Sequence, residues 1–181
     1  MGGVIMSSVI ISGDTSGAIT LSAPAVSGTN TATLPAATGT VMVSGNMPAF
    51  CVYLSGNQSI TSSTWTKINF NTKTFDTANA FDSTTNYRFT PQVAGYYQIN
   101  SLIGFQSNSL GQVYIRLYKN GSAFKDGLFI ANSASGPEIN ISTIVQANGT
   151  TDYFQIYGWQ NSGSTLTIQG IYFQASMVRA A

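Results

Sequence analysis

The chain has 181 residues and a formal net charge of +1, and 7% of its residues are charged, against about 25% in ordinary soluble domains. It contains no histidine and one cysteine, which excludes a Cys/His zinc site and an ordinary Ser-His-Asp triad. The near-zero charge argues against nucleic-acid binding and favours a protein held in a larger assembly.

Two features bear on where the protein folds. The lone Cys51 lies in an apolar run, so we expect a small buried side chain and a fold that needs no disulfide. The first residues lack the basic segment of a secretion signal, and no apolar run approaches the roughly 20 residues of a membrane-spanning helix. We therefore expect synthesis in a cytoplasm without membrane insertion.

Residues 1–15 contain apolar side chains that would be a liability if left free in water. We interpret them as an arm that docks onto a partner protein or onto sister chains. The predicted anchoring residues are Val4, Ile5, Val9, Ile10 and Ile11.

Residues 16–46 consist of short alternating aliphatic pieces separated by Gly, Pro and Asn. Two or three such strands cannot form an independent core, but three copies around one axis would bury their aliphatic side chains and pair their edges. The segment, above all residues 33–40 (TLPAATGT), resembles the stalk repeats of bacteriophage fibre proteins. A flexible linker is the alternative. The predicted stalk core consists of Ile19, Leu21, Leu34 and Val41.

Residues 47–181 show strands at short, regular intervals with turn signals between them, a pattern typical of a sandwich or barrel. Period-two alternation of Tyr97, Ile99, Ile103 and Phe105 predicts a long half-buried strand. Ala94-Gly95 precedes it and predicts a tight reversal, because glycine tolerates positive φ.

Three further local signals lie in this part of the chain. Asn120-Gly121 and Asn148-Gly149 each predict a type I′ hairpin turn, in which both central residues need positive φ. The apolar alternation changes parity at Gly170, with Ile168 before it and Ile171 after it, which predicts a one-residue bulge.

Phe89, Pro91, Gly95 and Tyr97 form a Phe-x-Pro-x-x-x-Gly-x-Tyr pattern that resembles the central signature of the globular head of complement component one q. The resemblance covers about residues 47–178 and implies a ten-stranded jelly roll, shared with tumour necrosis factor, that assembles as a homotrimer. Similar motifs flank the signature in the family's order, at residues 48–50, 65–71, 113–121, 152–156 and 166–173.

Six aromatic residues fall opposite the aliphatic core positions of their strands, which is too many outward rings for a monomer. Tyrosine and tryptophan are enriched at protein interfaces, so we predict that these residues line the trimer interface. Ordinary core packing in another register is the alternative. The predicted interface residues are Tyr96, Tyr118, Tyr153, Tyr157, Trp159 and Tyr172.

No enzyme site is predicted, because none of the six acidic residues forms a recognisable catalytic pair. Asp76 and Asp82 are weak candidates for a calcium site, since some members of the resembled family bind calcium through loop carboxylates; solvated loop carboxylates are the alternative. We expect no cofactor.

Together these features predict an all-β chain with an anchoring arm, a β-stalk and a jelly-roll head. The function expected from the resemblances is that of a bacteriophage virion protein, a short homotrimeric fibre or spike made in the host cytoplasm. Its arm would attach to other virion proteins, and its head would bind host surface glycan or protein. The alternative is a capsid decoration protein. A secreted cellular ligand is disfavoured by the missing secretion signal.

Overall fold

A computed structural model describes most of the chain, in two compact units, Met1–Gly39 and Thr40–Ala181. The described residues form strands and loops, and none of them lies in an α-helix, which confirms the all-β prediction. No helix long and apolar enough to cross a membrane occurs among them. The described residues are 8–22, 24, 29–31, 33, 36, 38–39, 41–43, 45, 47–106, 111–130 and 136–181, without the side chains of 128–130.

The N-terminal unit contains one antiparallel hairpin among its described residues, formed by β1 (Ser8–Ser12) and β2 (Ala18–Ser22). The hairpin crosses the predicted boundary between arm and stalk after residue 15. The two predicted segments therefore share one structural element. The predicted start of the head at residue 47 stays a prediction, and the division between the compact units lies a few residues earlier, after Gly39.

In the second unit the described residues form twelve strands, of which three have two residues, where ten strands were predicted. The strands are β3 (Ala49–Tyr53), β4 (Asn57–Ile60), β5 (Thr66–Lys67), β6 (Thr72–Asp76), β7 (Phe81–Asp82), β8 (Arg88–Phe89), β9 (Gly95–Phe105), β10 (Gln112–Lys119), β11 (Ser122–Ile130), β12 (Glu138–Ala147), β13 (Phe154–Gln160) and β14 (Leu166–Ala180).

These strands build two six-stranded antiparallel sheets. The first sheet has the order β11-β10-β13-β8-β7, with β5 also paired to β13. The second has the order β12-β9-β14-β3-β6, with β4 also paired to β14. Strands far apart in the chain become neighbours, as β9 and β14 do, so the register of each sheet depends on long-range packing.

The core lies between the two sheets. The alternating residues of β9 that the sequence predicted to be buried form part of it. Tyr97, Ile99, Ile103 and Phe105 are all buried, which confirms the predicted face. The hydroxyl of Tyr97 donates a hydrogen bond to the carbonyl of Val93 at 2.7 Å, so the ring is buried with its polar atom satisfied.

A group of phenyl rings joins the sheets at Phe50. Its ring centroid lies 5.1 Å from Phe81, 4.5 Å from Phe89 and 5.1 Å from Phe173. Phe50 and Phe173 belong to the second sheet, whereas Phe81 and Phe89 belong to the first. Burying each such side chain stabilises the fold by roughly 1.5–3 kcal/mol. These contacts hold the layers of the sandwich together.

Gly95 is the first residue of β9, and the reason that this position needs a glycine is not the predicted tight reversal. Its φ is not positive, so no left-handed reversal requires a glycine here. A Cβ at this position would lie 2.5 Å from the carbonyl oxygen of Arg179 and 2.9 Å from Cε of Met177. The close approach of β14 therefore requires the glycine.

One of the two predicted type I′ turns is confirmed and the other is wrong. Asn120 and Gly121 have φ of 53° and 77° and join β10 directly to β11. Asn148 has no positive φ. Instead its Oδ1 accepts hydrogen bonds from the backbone N–H groups of three following residues at 3.0 Å each, so its side chain organises a six-residue loop before β13.

The predicted bulge at Gly170 is confirmed by a register shift between Gly170 and Tyr172 in the pairing of β14 with β9. Ile171 is the extra residue and is 37% exposed, so its predicted place on the core face is wrong. A Cβ on Gly170 would lie 2.7 Å from Cβ of Leu54.

Cys51 was expected to be buried, but it is half-buried on the outer side of β3. The residues before and after it, Phe50 and Val52, face the core and are 1% and 0% exposed. Alternation along a strand makes one of two apolar neighbours point outwards.

Candidate interaction surfaces

An aliphatic face covers one side of the N-terminal hairpin. The register sets Val9 opposite Leu21 and Ile11 opposite Ile19, which puts these four side chains together. Their exposed fractions are between 52% and 67%. Ile10 lies on the other side of the hairpin and is 64% exposed. Two predicted anchor residues, Val9 and Ile11, and two predicted stalk residues, Ile19 and Leu21, thus meet in one surface.

The remaining anchor and stalk predictions are only partly placed. Val4, Ile5 and Leu34 lie outside the described residues. Val41 belongs to the second compact unit and is 67% exposed. The stalk core of Ile19, Leu21, Leu34 and Val41 therefore stays a prediction.

The outer side of the second sheet forms a nearly uncharged surface, which we call the β9 face. It carries Tyr96, Leu102, Ile144, Tyr172 and Val178 on β9, β12 and β14. Ile144 and Val178 are 55% and 50% exposed.

Charge occurs at the two ends of the β9 face. The charged residues of β9, β12 and β14 are Glu138, opposite Gly104, and Arg179, opposite Tyr96. The Arg179 guanidinium carbon lies 4.9 Å from the centroid of the Tyr96 ring. The middle of the face therefore presents polar amides and apolar side chains without a charge.

Five aromatic rings and one guanidinium group gather on the outer side of the first sheet, opposite the core. Their strands are β10 and β13, with Trp65 directly before β5. The core side of β10 carries Val113, Ile115 and Leu117, each at most 1% exposed. We call the outward group the outer aromatic cluster; its members are Trp65, Tyr114, Arg116, Tyr118, Tyr157 and Trp159, all half-buried.

The rings of the outer aromatic cluster contact one another. The Trp65 centroid lies 6.1 Å from that of Tyr114 and 6.2 Å from that of Trp159. Tyr114 and Trp159 are 5.3 Å apart, and Tyr118 and Tyr157 are 4.1 Å apart. Such pairs contribute about 0.5–1.5 kcal/mol beyond their burial, so the rings hold one another in place.

The positive charge of Arg116 in the cluster is paired with the negative charge of Asp126. Arg116 donates to both carboxylate oxygens of Asp126, and this pairing raises the pKa of the Arg116 guanidinium. Its guanidinium carbon also lies 4.0 Å from the centroid of Trp65. Burial, with Tyr118 and Tyr153 nearby, raises the pKa of the Tyr157 hydroxyl. The Tyr157 hydroxyl therefore stays neutral, and the Arg116 guanidinium stays charged but paired.

The six predicted interface residues are all half-buried, but they do not form one surface. Tyr96 and Tyr172 lie on the β9 face. Tyr118, Tyr157 and Trp159 lie in the outer aromatic cluster, on the other sheet. Tyr153 lies just before β13 beneath Arg88, whose guanidinium carbon is 4.5 Å from the ring centroid. Their role as an interface stays a prediction.

Sequence reasoning missed three members of the cluster, Trp65, Tyr114 and Arg116. Tyr114 alternates with the buried Val113 and Ile115 in the same way as Tyr118, so the period-two pattern contained its signal. Trp65 precedes a two-residue strand and has no periodic pattern around it. Its position beside β10 depends on the pairing of β5 with β13.

A buried carboxylate connects two loops at one end of the sandwich. Asp152, 8% exposed, accepts hydrogen bonds from Nδ2 of Asn120 at 2.7 Å, the backbone N–H of Asn148 at 2.9 Å and Nζ of Lys119 at 3.1 Å. The hydrogen bond from Asn120 and the contacts with Lys119 and Asn148 lower the pKa of Asp152. We call these four residues the Asp152 network.

The two weak calcium candidates use their oxygens within their own loops. Asp76 accepts from Lys73 and from the backbone N–H groups of Ala80 and Phe81 at 2.8–3.0 Å. Asp82 accepts from the backbone N–H groups of residues 84–86 at 3.0 Å. Among the described residues, no three acidic, cysteine or histidine side chains are grouped to hold a metal. Turn formation accounts for both carboxylates.

No protein-family model and no curated protein matches the chain, but solved structures match its fold. The globular domain of zebrafish complement 1qA aligns with a TM-score of 0.55 at 16% identity over 74% of this chain and 99% of that one. Eiger TNF from S. frugiperda gives 0.57 at 8% identity over 75% and 93%. The vertex protein P5 of PRD1 gives 0.54 at 20% identity over 73% and 97%. The second unit is therefore a jelly roll, as the motif resemblance implied.

Proposed function

We propose that this chain is a bacteriophage virion protein, a short trimeric fibre or spike whose N-terminal segment attaches to the particle and whose jelly-roll head binds the host cell surface. The observation that carries this proposal is the aliphatic hairpin face. Four side chains more than half exposed on a two-stranded hairpin need a covering partner, because such a hairpin is marginally stable alone. A structural assembly supplies that cover.

The head supports the proposal through its fold and its composition. Its jelly roll is similar to that of the PRD1 vertex protein P5, a component of a virus particle by its name. Its residues include few charges, which suits a protein that is immobilised in an assembly. Since the solved relative is a vertex protein, capsid decoration is the second candidate function.

The homotrimer is assigned to the β9 face. An interface core is depleted in charge, and the middle of this face carries none. Ile144 and Val178 present exposed aliphatic surface at the end of the face that Tyr96 and Arg179 also line. Tyr96 and Tyr172, which the sequence predicted as interface residues, belong to the same face. Three copies that pack along it would cover these side chains.

Sedimentation velocity tests this assignment. Ile144→Arg and Val178→Arg introduce an unpaired charge at the proposed contact, so we expect a monomer from each. Tyr157→Arg places the same charge in the outer aromatic cluster, and we expect a trimer. A trimer from both β9-face variants, with a monomer from Tyr157→Arg, would move the interface to the other sheet. A wild-type monomer would remove the trimer from the proposal.

Particle experiments test the function itself. Labelled antibodies on intact particles, viewed by electron microscopy, are expected to mark a tail or vertex projection. Particles that lack the protein are expected to adsorb poorly to host cells while keeping their resistance to heat. Normal adsorption with fragile shells would identify capsid decoration instead. Absence of the protein from purified particles would refute both candidates.

A further inference from the structure

The outer aromatic cluster is already assembled before any partner arrives. Its rings contact one another at centroid distances of 4.1–6.4 Å, and Arg116 is held between Trp65 and Asp126. Because these side chains already hold one another in place, a ligand that binds to this surface would have to order few of them, and the entropic cost of binding is low. The cluster therefore has the properties of a preformed contact surface.

Charge restricts what the surface can bind. The cation of the cluster, Arg116, is engaged by the carboxylate of Asp126 through two hydrogen bonds. A polyanion such as a nucleic acid or an acidic polysaccharide gains its affinity from unpaired cations. The paired arginine offers no such gain. The charge balance of the cluster thus favours an uncharged ligand.

A protein partner fits the cluster less well than a sugar. The centre of a protein interface is fully desolvated, and burying the Arg116–Asp126 pair there would cost more than the pair returns. The apolar face of a sugar ring presents C–H groups, whose partial positive charge suits the negative face of an aromatic ring. Its hydroxyl groups can replace water on Asp126 and on the tyrosine hydroxyls, so the polar groups stay hydrogen-bonded.

We propose that the outer aromatic cluster is the carbohydrate-binding surface of the head, with Tyr114, Trp159 and Trp65 stacking on the sugar rings of an uncharged glycan and the Arg116–Asp126 pair hydrogen-bonding its hydroxyls. This inference rests on the proposed host-binding function and gives it a site and a ligand class. Because the proposed trimer contact lies on the β9 face, on the other sheet, the cluster stays accessible in that trimer.

The chain provides its own probe for this site. Trp65 and Trp159 are its two tryptophans, and both belong to the cluster, so intrinsic tryptophan fluorescence reports on this surface alone. The full chain is first applied to a printed array of neutral, sialylated and sulfated glycans. Soluble forms of the neutral glycans that bind are then titrated while emission is followed. We expect saturable binding of neutral glycans with a change in emission.

Variants place the binding on the cluster. Tyr114→Ala and Trp159→Ala should each weaken binding about fivefold or more, as truncation of a contact residue does. Tyr53→Ala removes a 40% exposed ring on β3 of the other sheet and should leave binding unchanged. Melting curves identify any variant that fails to fold, and Trp159→Phe, which keeps a ring, should retain part of the affinity.

Three outcomes would overturn the inference: no neutral glycan binds on the array, only acidic glycans bind, or binding persists unchanged in Tyr114→Ala and Trp159→Ala. A shift of folded Trp159→Ala from trimer to monomer would also overturn it and mark the cluster as a contact between copies. A negative array with particles that still need this protein for adsorption would refute the glycan site and leave the proposed function standing.

Discussion

At the scale of single residues, Asp152 is a buried carboxylate that holds Lys119, Asn120 and Asn148 together. Its folded-state pKa is lowered below the ordinary value of about 3.9 by Asn120, Lys119 and Asn148. A lowered pKa means that the stabilisation is fully present above the unfolded pKa and is lost as pH falls through the folded pKa. We expect Asp152→Asn to lower the free energy of unfolding at pH 7 by about 1.5–3 kcal/mol, measured by urea denaturation.

The same variant should lose less stability than wild type between pH 5 and pH 3, because one carboxylate no longer becomes protonated. Asp14→Asn is the matched control, since it makes the same change on the exposed loop between β1 and β2. An equal loss of stability with falling pH in Asp152→Asn and wild type would contradict the role of the Asp152 network.

The two Asn-Gly segments need asparagine for different reasons, a positive φ at Asn120 and side-chain hydrogen bonds at Asn148. Glycine and alanine variants at each site separate these two reasons. Asn120 has a φ of 53°, so Asn120→Gly should be more stable than Asn120→Ala by about 1 kcal/mol, because alanine resists this conformation. At Asn148 the side chain accepts the hydrogen bonds, so Asn148→Gly should be no more stable than Asn148→Ala. Thermal melting measures both differences, and a clear advantage of glycine over alanine at both sites would favour a type I′ turn at Asn148 as well.

At the scale of the element, the bulge in β14 depends on a small residue. A Cβ on Gly170 would lie 2.7 Å from Cβ of Leu54 and 3.0 Å from Cε1 of Phe70. Gly170→Ala should therefore destabilise the head by about 1–3 kcal/mol through overpacking. Gly104→Ala is the control on the paired strand β9, where the nearest atoms would be 3.8 Å away and the stability should stay equal or rise. Equal melting of both variants would show that the bulge can relax.

At the scale of the whole molecule, truncation tests where the head begins. Met42 lies ahead of the predicted boundary at residue 47, yet it packs against the core cluster of the head. A chain that begins at Thr40 should therefore be more stable than one that begins at Met47, by about 1 kcal/mol for a partly buried methionine. Met42→Ala in the longer chain is the control and should account for most of the difference. Equal melting temperatures would place the boundary where the sequence predicted it.

The sequence pattern predicted more of the fold than of the surfaces. Alternation identified the buried face of β9, because a half-buried strand repeats every two residues whatever its neighbours are. It also located the bulge at Gly170 and the turn at Asn120. It misread Gly95 and Asn148, because a glycine required for space and one required for positive φ look the same in a sequence, as do the two roles of an asparagine. It misplaced Ile171, because the pattern shows that a bulge is present but not which residue is the extra one.

The sequence by itself determined that this is an all-β chain with outward aromatic residues, since both follow from local periodicity. The tertiary structure decided which rings share a surface. Tyr96 and Tyr172 belong with β9 and β14, whereas Tyr118, Tyr157 and Trp159 belong with β10 and β13, and only the strand order of the two sheets separates them. Trp65 joins the second group through the pairing of β5 with β13. Strand order is set by contacts between residues far apart in the chain, and a local pattern contains no information about them.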